Sequence, residues 1–267
     1  MNNQTYPTDL TDRQWECIRK YIPPAKPGGR PRTLDMRQVI NAILYIVVSG
    51  CQWRMLPRNC LYPKWKSVYD YFKKWRDDGT WQRIHDMLRA ELRRRVGRDK
   101  HATAGCLDSQ SVKSTGVPGV RGYDGNKRIK GRKRHVVVDT LGLLLAVVVT
   151  AASVSDPAGA RLLLRRLKQL GTGKQLRRIW VDAIYRGTLL EWVVAHYRFV
   201  LHPVLRSADQ KNVKGFAVLP KRWVVERTFA WLTQCRRLSK DYEVLPRSSE
   251  AMIYIAMTRL MLRRLAS

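Results

Sequence analysis

Three carboxylates in this sequence stand where a casual surface acid is a poor explanation. Asp108 closes the apolar run Gly105-Cys106-Leu107, and Asp182 closes Ile179-Trp180-Val181. An aspartate at the exit of a buried strand is placed to line a cleft; it can equally cap its own turn. Glu226, one of six glutamates, lies in Lys221-Arg222-Trp223-Val224-Val225-Glu226-Arg227. At about 100° per residue, Val224, Val225, Trp231, Leu232, Cys235 and Leu238 gather on one side of a helix. Glu226 falls opposite, with Arg222, Thr233 and Arg237, so it reads either as a functional acid or as the solvated partner of Arg222. Asp139, before Thr140-Leu141-Gly142, reads as a turn residue, and Asp156, before Pro157, as a helix N-cap. Asp108, Asp182 and Glu226 together suit hard cations such as Mg2+, which prefer carboxylate oxygens. A pair of such ions stabilises both the attacking and the leaving oxygen of a phosphoryl transfer.

The composition supplies the substrate for that chemistry. The 267 residues include 51 Lys and Arg against 21 Asp and Glu, a formal charge of +30. A field of that size favours a polyanionic partner, nucleic acid or an anionic membrane. The longest apolar run, Leu143 to Val149, is far short of the roughly 20 residues that span a bilayer. The first residues carry no basic and apolar leader pattern, and five scattered cysteines form no C-x-x-C pair. The expectation is a cytoplasmic, nucleic-acid-binding protein, without a membrane.

The elements that must carry these residues fall into two halves. Residues 1–97 read as an all-helical, helix-turn-helix-type DNA-binding domain; the alternative is a small bundle whose Lys and Arg only solvate its outside. Thr11 and Gln14 form a capping box, with Leu10 and Trp15 spaced as a hydrophobic staple. A second helix spans about 34–49, and a third starting at Pro63 carries Lys64, Lys66, Lys73 and Lys74 beside Val68, Phe72 and Trp75. A fourth follows Gly79. Gly29-Arg30-Pro31-Arg32 reads as a minor-groove hook or as a plain loop. Residues 98–267 change period. Strands are expected at 104–108, 135–139, 143–150, 178–182 and 199–201, with helices at 156–170, 187–196, 220–238 and 247–265. That alternation predicts an α/β domain with a mixed sheet. The stretch 121–134 holds Arg121, Lys127, Arg128, Lys130, Arg132, Lys133 and Arg134 among three glycines. It reads as a flexible basic loop within 114–134, and Arg206, Lys211 and Lys214 mark a second one within 203–220. Trp65, Trp75 and Trp231 read as core.

At these residues the chain resembles the DDE transposases of bacterial insertion sequences, closest to the insertion sequence 5 group. Leu10-Thr11-Asp12-Arg13-Gln14-Trp15 and Trp53-Arg54-Met55-Leu56-Pro57 resemble the family's N-terminal segment. Asp108-Ser109-Gln110-Ser111-Val112-Lys113 resembles its first acid motif, and Val181-Asp182-Ala183-Ile184-Tyr185-Arg186-Gly187 its second. Arg222 to Leu232, continuing through Arg236 to Tyr242, resembles the glutamate motif. The resemblance implies an RNase H-like catalytic domain in which Asp108, Asp182 and Glu226 hold two Mg2+ ions, with Mn2+ as a substitute. It implies cleavage of element ends and strand transfer by a homodimer on double-stranded DNA, in the bacterial cytoplasm at the nucleoid. In the related signature Y-x-x-R-x-x-x-E-x-x-x-x-x-x-K, Arg222 matches the arginine. Leu219 and Thr233 replace the tyrosine and lysine, and Arg236, Arg237 or Lys240 is expected to supply the missing phosphate contact. Ile184 stands where members commonly carry glycine, and a β-branched residue constrains a turn. The alternatives are a transposase-derived DNA binder without catalysis and a metal-dependent nuclease of the same fold.

Overall fold

A computed structural model describes residues 6–25, 27–28, 31–58, 62–204 and 223–267. The chain divides into two compact units: 1–100 with 232–239 and 247–267, and 101–231 with 240–246.

The first unit is helical. Helix α1 (Asp12–Arg19) opens on the expected box: Gln14 N–H donates to Thr11 Oγ1 and Thr11 N–H to Gln14 Oε1, each at 3.2 Å. Helix α2 (Met36–Ser49) starts on Asp35, whose carboxylate accepts from Arg37 N–H at 2.8 Å, and stops at Gly50 with φ 73°. A β-carbon at Gly50 would meet Arg236 Cβ at 3.0 Å, so both conformation and space call for glycine there. Helix α3 (Trp65–Asp77) buries Val68, Phe72 and Trp75 and leaves Lys66, Lys73 and Lys74 exposed. Helix α4 (Thr80–Arg95) follows the left-handed Gly79, and Trp75 meets Trp81 edge to face at 5.0 Å. Trp75 is core as expected, whereas Trp65 is half-buried beneath the Arg54 guanidinium.

The second unit is built on a six-stranded mixed sheet. Its strands are β1 (Ala104–Lys113), β2 (Gly122–Asp124), β3 (Ile129–Asp139), β4 (Leu144–Ala151), β5 (Arg178–Asp182) and β6 (Val200–Val204). The spatial order is β2-β3-β1-β5-β6, with β4 also on β3. Strands β1, β3 and β4 are antiparallel, and β1, β5 and β6 parallel. Helices α5 (Asp156–Leu170) and α6 (Thr188–His196) supply the crossovers that parallel strands require. Their apolar faces, Leu163, Leu164, Leu167, Leu189 and Val193, pack with Leu107, Val137, Leu145, Ile179 and Val181 in one core. Each such side chain contributes roughly 1.5–3 kcal/mol by leaving water.

Helix α7 (Trp223–Thr233) follows, and α8 (Pro246–Leu265) closes the chain. Helix α8 is buried around most of its circumference and groups with the first unit, where Tyr254 packs on His85 at 5.1 Å. The contacts therefore group α8 with the helical unit; the sequence pattern shows that α8 is apolar but not which neighbours cover it.

Four expectations change in detail. Strand β1 runs on to Lys113, so Asp108 lies within a strand rather than at its end. The basic stretch 121–134 is a hairpin of β2 and β3 rather than a loop. The helix expected over 220–238 ends at Thr233, and a separate 3-10 turn spans Arg236–Leu238. Ser155, not Asp156, caps α5; Asp156 is the first helical residue.

Candidate active site

The register of the sheet puts two of the three singled-out acids side by side. Strands β1 and β5 pair in parallel from Ala104↔Arg178 to Cys106↔Trp180 and then part. Asp108 and Asp182 each lie two residues beyond that last pair. With a side-chain period of two, they emerge level with one another on the face that carries Cys106 and Trp180. One narrow cleft is lined by Cys106, Leu107, Asp108, Trp180, Val181, Asp182, Val204 and Val225. It lies beyond the paired ends of parallel strands, where open α/β sheets bind ligands. Each carboxylate is fixed by the residue after it: Ser109 N–H donates to Asp108 Oδ1 at 2.8 Å, and Ala183 N–H to Asp182 Oδ1 at 2.5 Å.

Glu226 sits on α7, exposed, one residue after the cleft-lining Val225. Among the described residues no three His, Cys, Asp or Glu side chains are close enough to form a metal-binding group. The structure thus brings Asp108 and Asp182 together and leaves Glu226 on the adjoining helix. Helix α7 is pinned to the β3–β4 turn. Thr228 Oγ1 donates to the Gly142 carbonyl at 2.9 Å, and Arg227 donates to the Leu141 carbonyl at 3.0 Å. The Arg227 guanidinium lies 4.5 Å from the Trp223 ring centre and 4.6 Å from that of Trp231. The i−4 and i+4 spacing of Trp223 and Trp231 about Arg227 is the sequence sign of this stack, and Trp231, expected in the core, is half-buried within it. Asp139 is a turn residue as expected, accepting from Leu141 and Leu143 N–H at 2.9 Å each.

Behind the cleft, on the other face of β1, lies a buried charge network that the sequence did not announce. Lys133 Nζ sits 3.2 Å from Asp124 Oδ2, 3.1 Å from Asp156 Oδ1 and 3.0 Å from the Val154 carbonyl. Ser109 donates to Asp156 and Ser111 to Asp124, each at 2.6 Å. Burial pushes the Asp124 carboxyl up, but the bonds from Ser111, Lys127 N–H and Lys133 outweigh it and hold it down at about 2. Burial lowers His135 to about 4, with Asp156 opposing; its Nε2 meets Thr150 Oγ1 at 3.0 Å and its ring fills the space a side chain at Gly159 would need. The Tyr185 hydroxyl is buried among Asp108, Asp156 and Asp182; burial first, then those charges, push it well above the ordinary tyrosine range.

The cations expected on DNA separate into two classes. Arg132, Lys133 and Arg134 are buried in β3, a central strand with neighbours on both edges. Arg132 bonds Asp241 Oδ1 at 3.0 Å and the carbonyls of Val120, Glu243 and Val244. Burial lowers Arg134 to about 10, and it donates to Gln110 and to the Lys240 carbonyl at 3.4 Å each. Arg237, expected on the Glu226 face, is instead buried in the 3-10 turn and donates to the Cys51 carbonyl at 3.3 Å. Arg32, Lys64, Lys66, Lys73, Lys127, Arg128, Lys130 and Lys240 are exposed. Arg30, Arg206, Lys211, Lys214, Leu219 and Arg222 lie outside the described residues. Ile184 is half exposed in a 3-10 turn, Ala183–Tyr185, without a positive φ, so no left-handed backbone demands glycine there.

Known families match both halves of the chain. A family model described as "Transposase DDE domain" matches residues 99–261, and one described as "Putative transposase of IS4/5 family" matches residues 10–85. The chain belongs to the DDE transposase family. Among curated relatives, "Insertion element IS402 uncharacterized 16.2 kDa protein" of Burkholderia cepacia is 29% identical over 112 residues, 40% of this chain and 75% of that protein. "Putative transposase for insertion sequence element IS402" of the same organism is 34% identical over 119 residues, 42% of this chain. The chain spans about half of that second relative's length, 54%. "Uncharacterized protein y4sN" of Sinorhizobium fredii (strain NBRC 101917 / NGR234) is 29% identical over 82 residues, 31% of this chain and 64% of that protein. Among the described residues, no helix of this transposase is long and apolar enough to cross a membrane.

Proposed function

We propose that this chain cleaves the ends of an insertion sequence and joins them to target DNA through an RNase H-like domain. The observation that carries the reading is the levelling of Asp108 and Asp182 across the parted strands β1 and β5, in a chain of the DDE family. Two fixed carboxylates offer the hard oxygen donors that Mg2+ or Mn2+ takes, and Glu226, carried by the helix that walls the cleft, is the natural third. Two such ions, when bound, would supply charge stabilisation for the attacking and leaving oxygens of an in-line displacement. The protein's own part is positional. The strand register sets Asp108 and Asp182, Ser109 and Ala183 N–H orient one oxygen of each, and the apolar walls Leu107, Val181, Val204 and Val225 limit water. No side chain is needed as a covalent nucleophile. The exposed lysines of α3, in a helix-turn-helix-type unit, are assigned to the DNA backbone, and pairing of two ends to a homodimer.

A second reading, DNA binding without chemistry, has one observation in its favour: Glu226 is not gathered with the two aspartates among the described residues. The test is a strand-transfer assay with purified protein, Mg2+ or Mn2+, and oligonucleotides from the DNA flanking the gene. Joined products from the wild type, lost in Asp182→Asn and Glu226→Gln while DNA binding persists, establish the transposase reading. Cleaved but never joined DNA identifies a nuclease, and salt-sensitive binding with neither product identifies the binder.

A further inference from the structure

One side of the sheet unit carries cations without an acidic partner among the described residues. Arg161, Arg165 and Lys168 recur at i, i+4 and i+7 along α5, which places them on one face of that helix. Like charges at such spacing repel, and among the described residues none of the three has a carboxylate partner, Glu191 of the neighbouring α6 included. Aromatic rings contact all three instead, and Arg161 also donates to the Thr188 carbonyl and hydroxyl at 3.5 Å each. The guanidinium carbons of Arg161 and Arg165 lie 5.3 and 5.8 Å from the Trp192 ring centre, and Lys168 Nζ lies 5.7 Å from that of Tyr197. Trp192 stacks on His196 at 5.0 Å and meets Tyr197 at 5.4 Å; Tyr197 meets Phe199 at 5.1 Å. The row backs a groove of about 440 Å³ whose rim is Lys168, Lys174, His196 and Arg198, all exposed. Leu167, Leu176 and Phe199 form its floor and belong to the core, so the rim stands on a rigid base.

The groove is not part of the cleft. Leu176 and Phe199 precede β5 and β6, whereas Asp182 and Val204 end them. At about 3.3 Å per residue the two sites lie roughly 20 Å apart, at opposite ends of the same strands. The size of the charged strip argues for a polymer. Arg161 to Lys168 alone covers about 10 Å along α5, several phosphates of one DNA strand at about 3.4 Å each, and Lys174 and Arg198 extend it. A free anion would need only one or two of these groups.

Resting on the DNA reading above, we propose that this aromatic-backed groove and the α5 strip bind the phosphate backbone of duplex DNA, as a contact separate from the acid-bearing cleft. Its contacts are with phosphates, so they add affinity and salt dependence without base preference.

The test measures duplex binding by the full chain as a function of salt. The variant is Lys168→Gln/Lys174→Gln/Arg198→Gln, and the charge-matched control is Arg98→Gln/Lys100→Gln/Arg263→Gln, exposed residues after α4 and on α8 with no assigned DNA contact. Loss of three phosphate contacts lowers the slope of log K against log salt by about 2.7, and the control changes it by less than about one. An unchanged slope, or equal losses in variant and control, overturns the groove while leaving the DNA reading intact. A wild type that binds no duplex sinks both. Phosphatidylglycerol vesicles are the comparison arm: groove-dependent vesicle binding with groove-independent DNA binding would make the ligand a lipid surface and overturn the proposal.

Discussion

Four aspartates of the sheet unit meet two different fates. Asp124 and Asp156 share Lys133 and take hydrogen bonds from Ser111 and Ser109, so their charge is answered inside the protein. Asp108 and Asp182, one strand face away, are oriented by their own following N–H groups and line a cleft. Residue type and burial are similar, and the strand period sorts them: odd positions of β1 (Ser109, Ser111) face the network, and even ones (Asp108, Gln110) the other side. The difference teaches that an acid near a buried strand reports function only when its partners are known. Substituting the first pair should cost stability, and the second should cost chemistry.

The largest effect expected is on chemistry. Asp108→Asn or Asp182→Asn keeps shape and removes charge. Strand transfer should fall by more than the roughly 10–100-fold typical of losing an outer-shell partner of a metal site, with little shift in melting temperature. Transfer that survives in either variant would erase the contrast, because the cleft pair would then be as structural as Asp124 and Asp156.

The network pair should answer in the opposite way. Lys133→Met leaves Asp124 and Asp156 buried without their shared cation, a change that costs about 3–5 kcal/mol. Denaturant unfolding should show that loss in the midpoint, and Lys133→Met/Asp124→Asn/Asp156→Asn should recover part of it. A Lys133→Met protein of normal stability but weakened DNA binding would restore the exposed, DNA-contacting role that its sequence context suggested.

The elements that carry this division were legible in the sequence, and the partners that create it were not, for a physical reason. Valine runs and the Thr140-Leu141-Gly142 turn mark β3 and β4, and Asp156-Pro157 marks the start of a helix running to about Leu170. Those signals are local. Whether Arg132, Lys133 and Arg134 look outward depends on β3 being central, and centrality follows from β1 and β4 lying on its two edges. No local pattern encodes that. Asp108 and Asp182 were legible as strand-associated acids; their levelling required the register Cys106↔Trp180, a contact across 74 residues. Helix α8 was legible as apolar, and its membership in the helical unit was not.

His135 gives a smaller test of the same network through pH. Its folded-state value, about 4, is below the ordinary 6.5 because burial disfavours the charged ring. The unfolded chain therefore binds a proton between pH 6.5 and 4 that the native protein does not, so stability falls as pH drops through that window. Between pH 7.5 and 5 the loss from this one group is about 2 kcal/mol. His135→Asn should flatten that part of the pH–stability curve, whatever it costs at pH 7.5. An unaltered slope in the variant would mean that another group sets the dependence and that the ring is not held neutral.

The smallest effect is expected where a base looks outward. Lys66 lies on the exposed side of α3, opposite Val68, Phe72 and Trp75, and so stands to Lys133 as the cleft acids stand to Asp124. Lys66→Gln removes one charge from a solvated face, so stability should stay within about 0.5 kcal/mol. If α3 lies along DNA, the slope of log K against log salt should fall by about 0.9, the value of one phosphate contact. That change is modest at any single salt concentration and emerges only from a titration over a range of concentrations. A slope equal to the wild type's would take α3 off the DNA and leave its lysines as a solvated face. The same experiment on Lys133→Met should leave the slope unchanged once the melted fraction is accounted for, since an inward lysine has no phosphate to release.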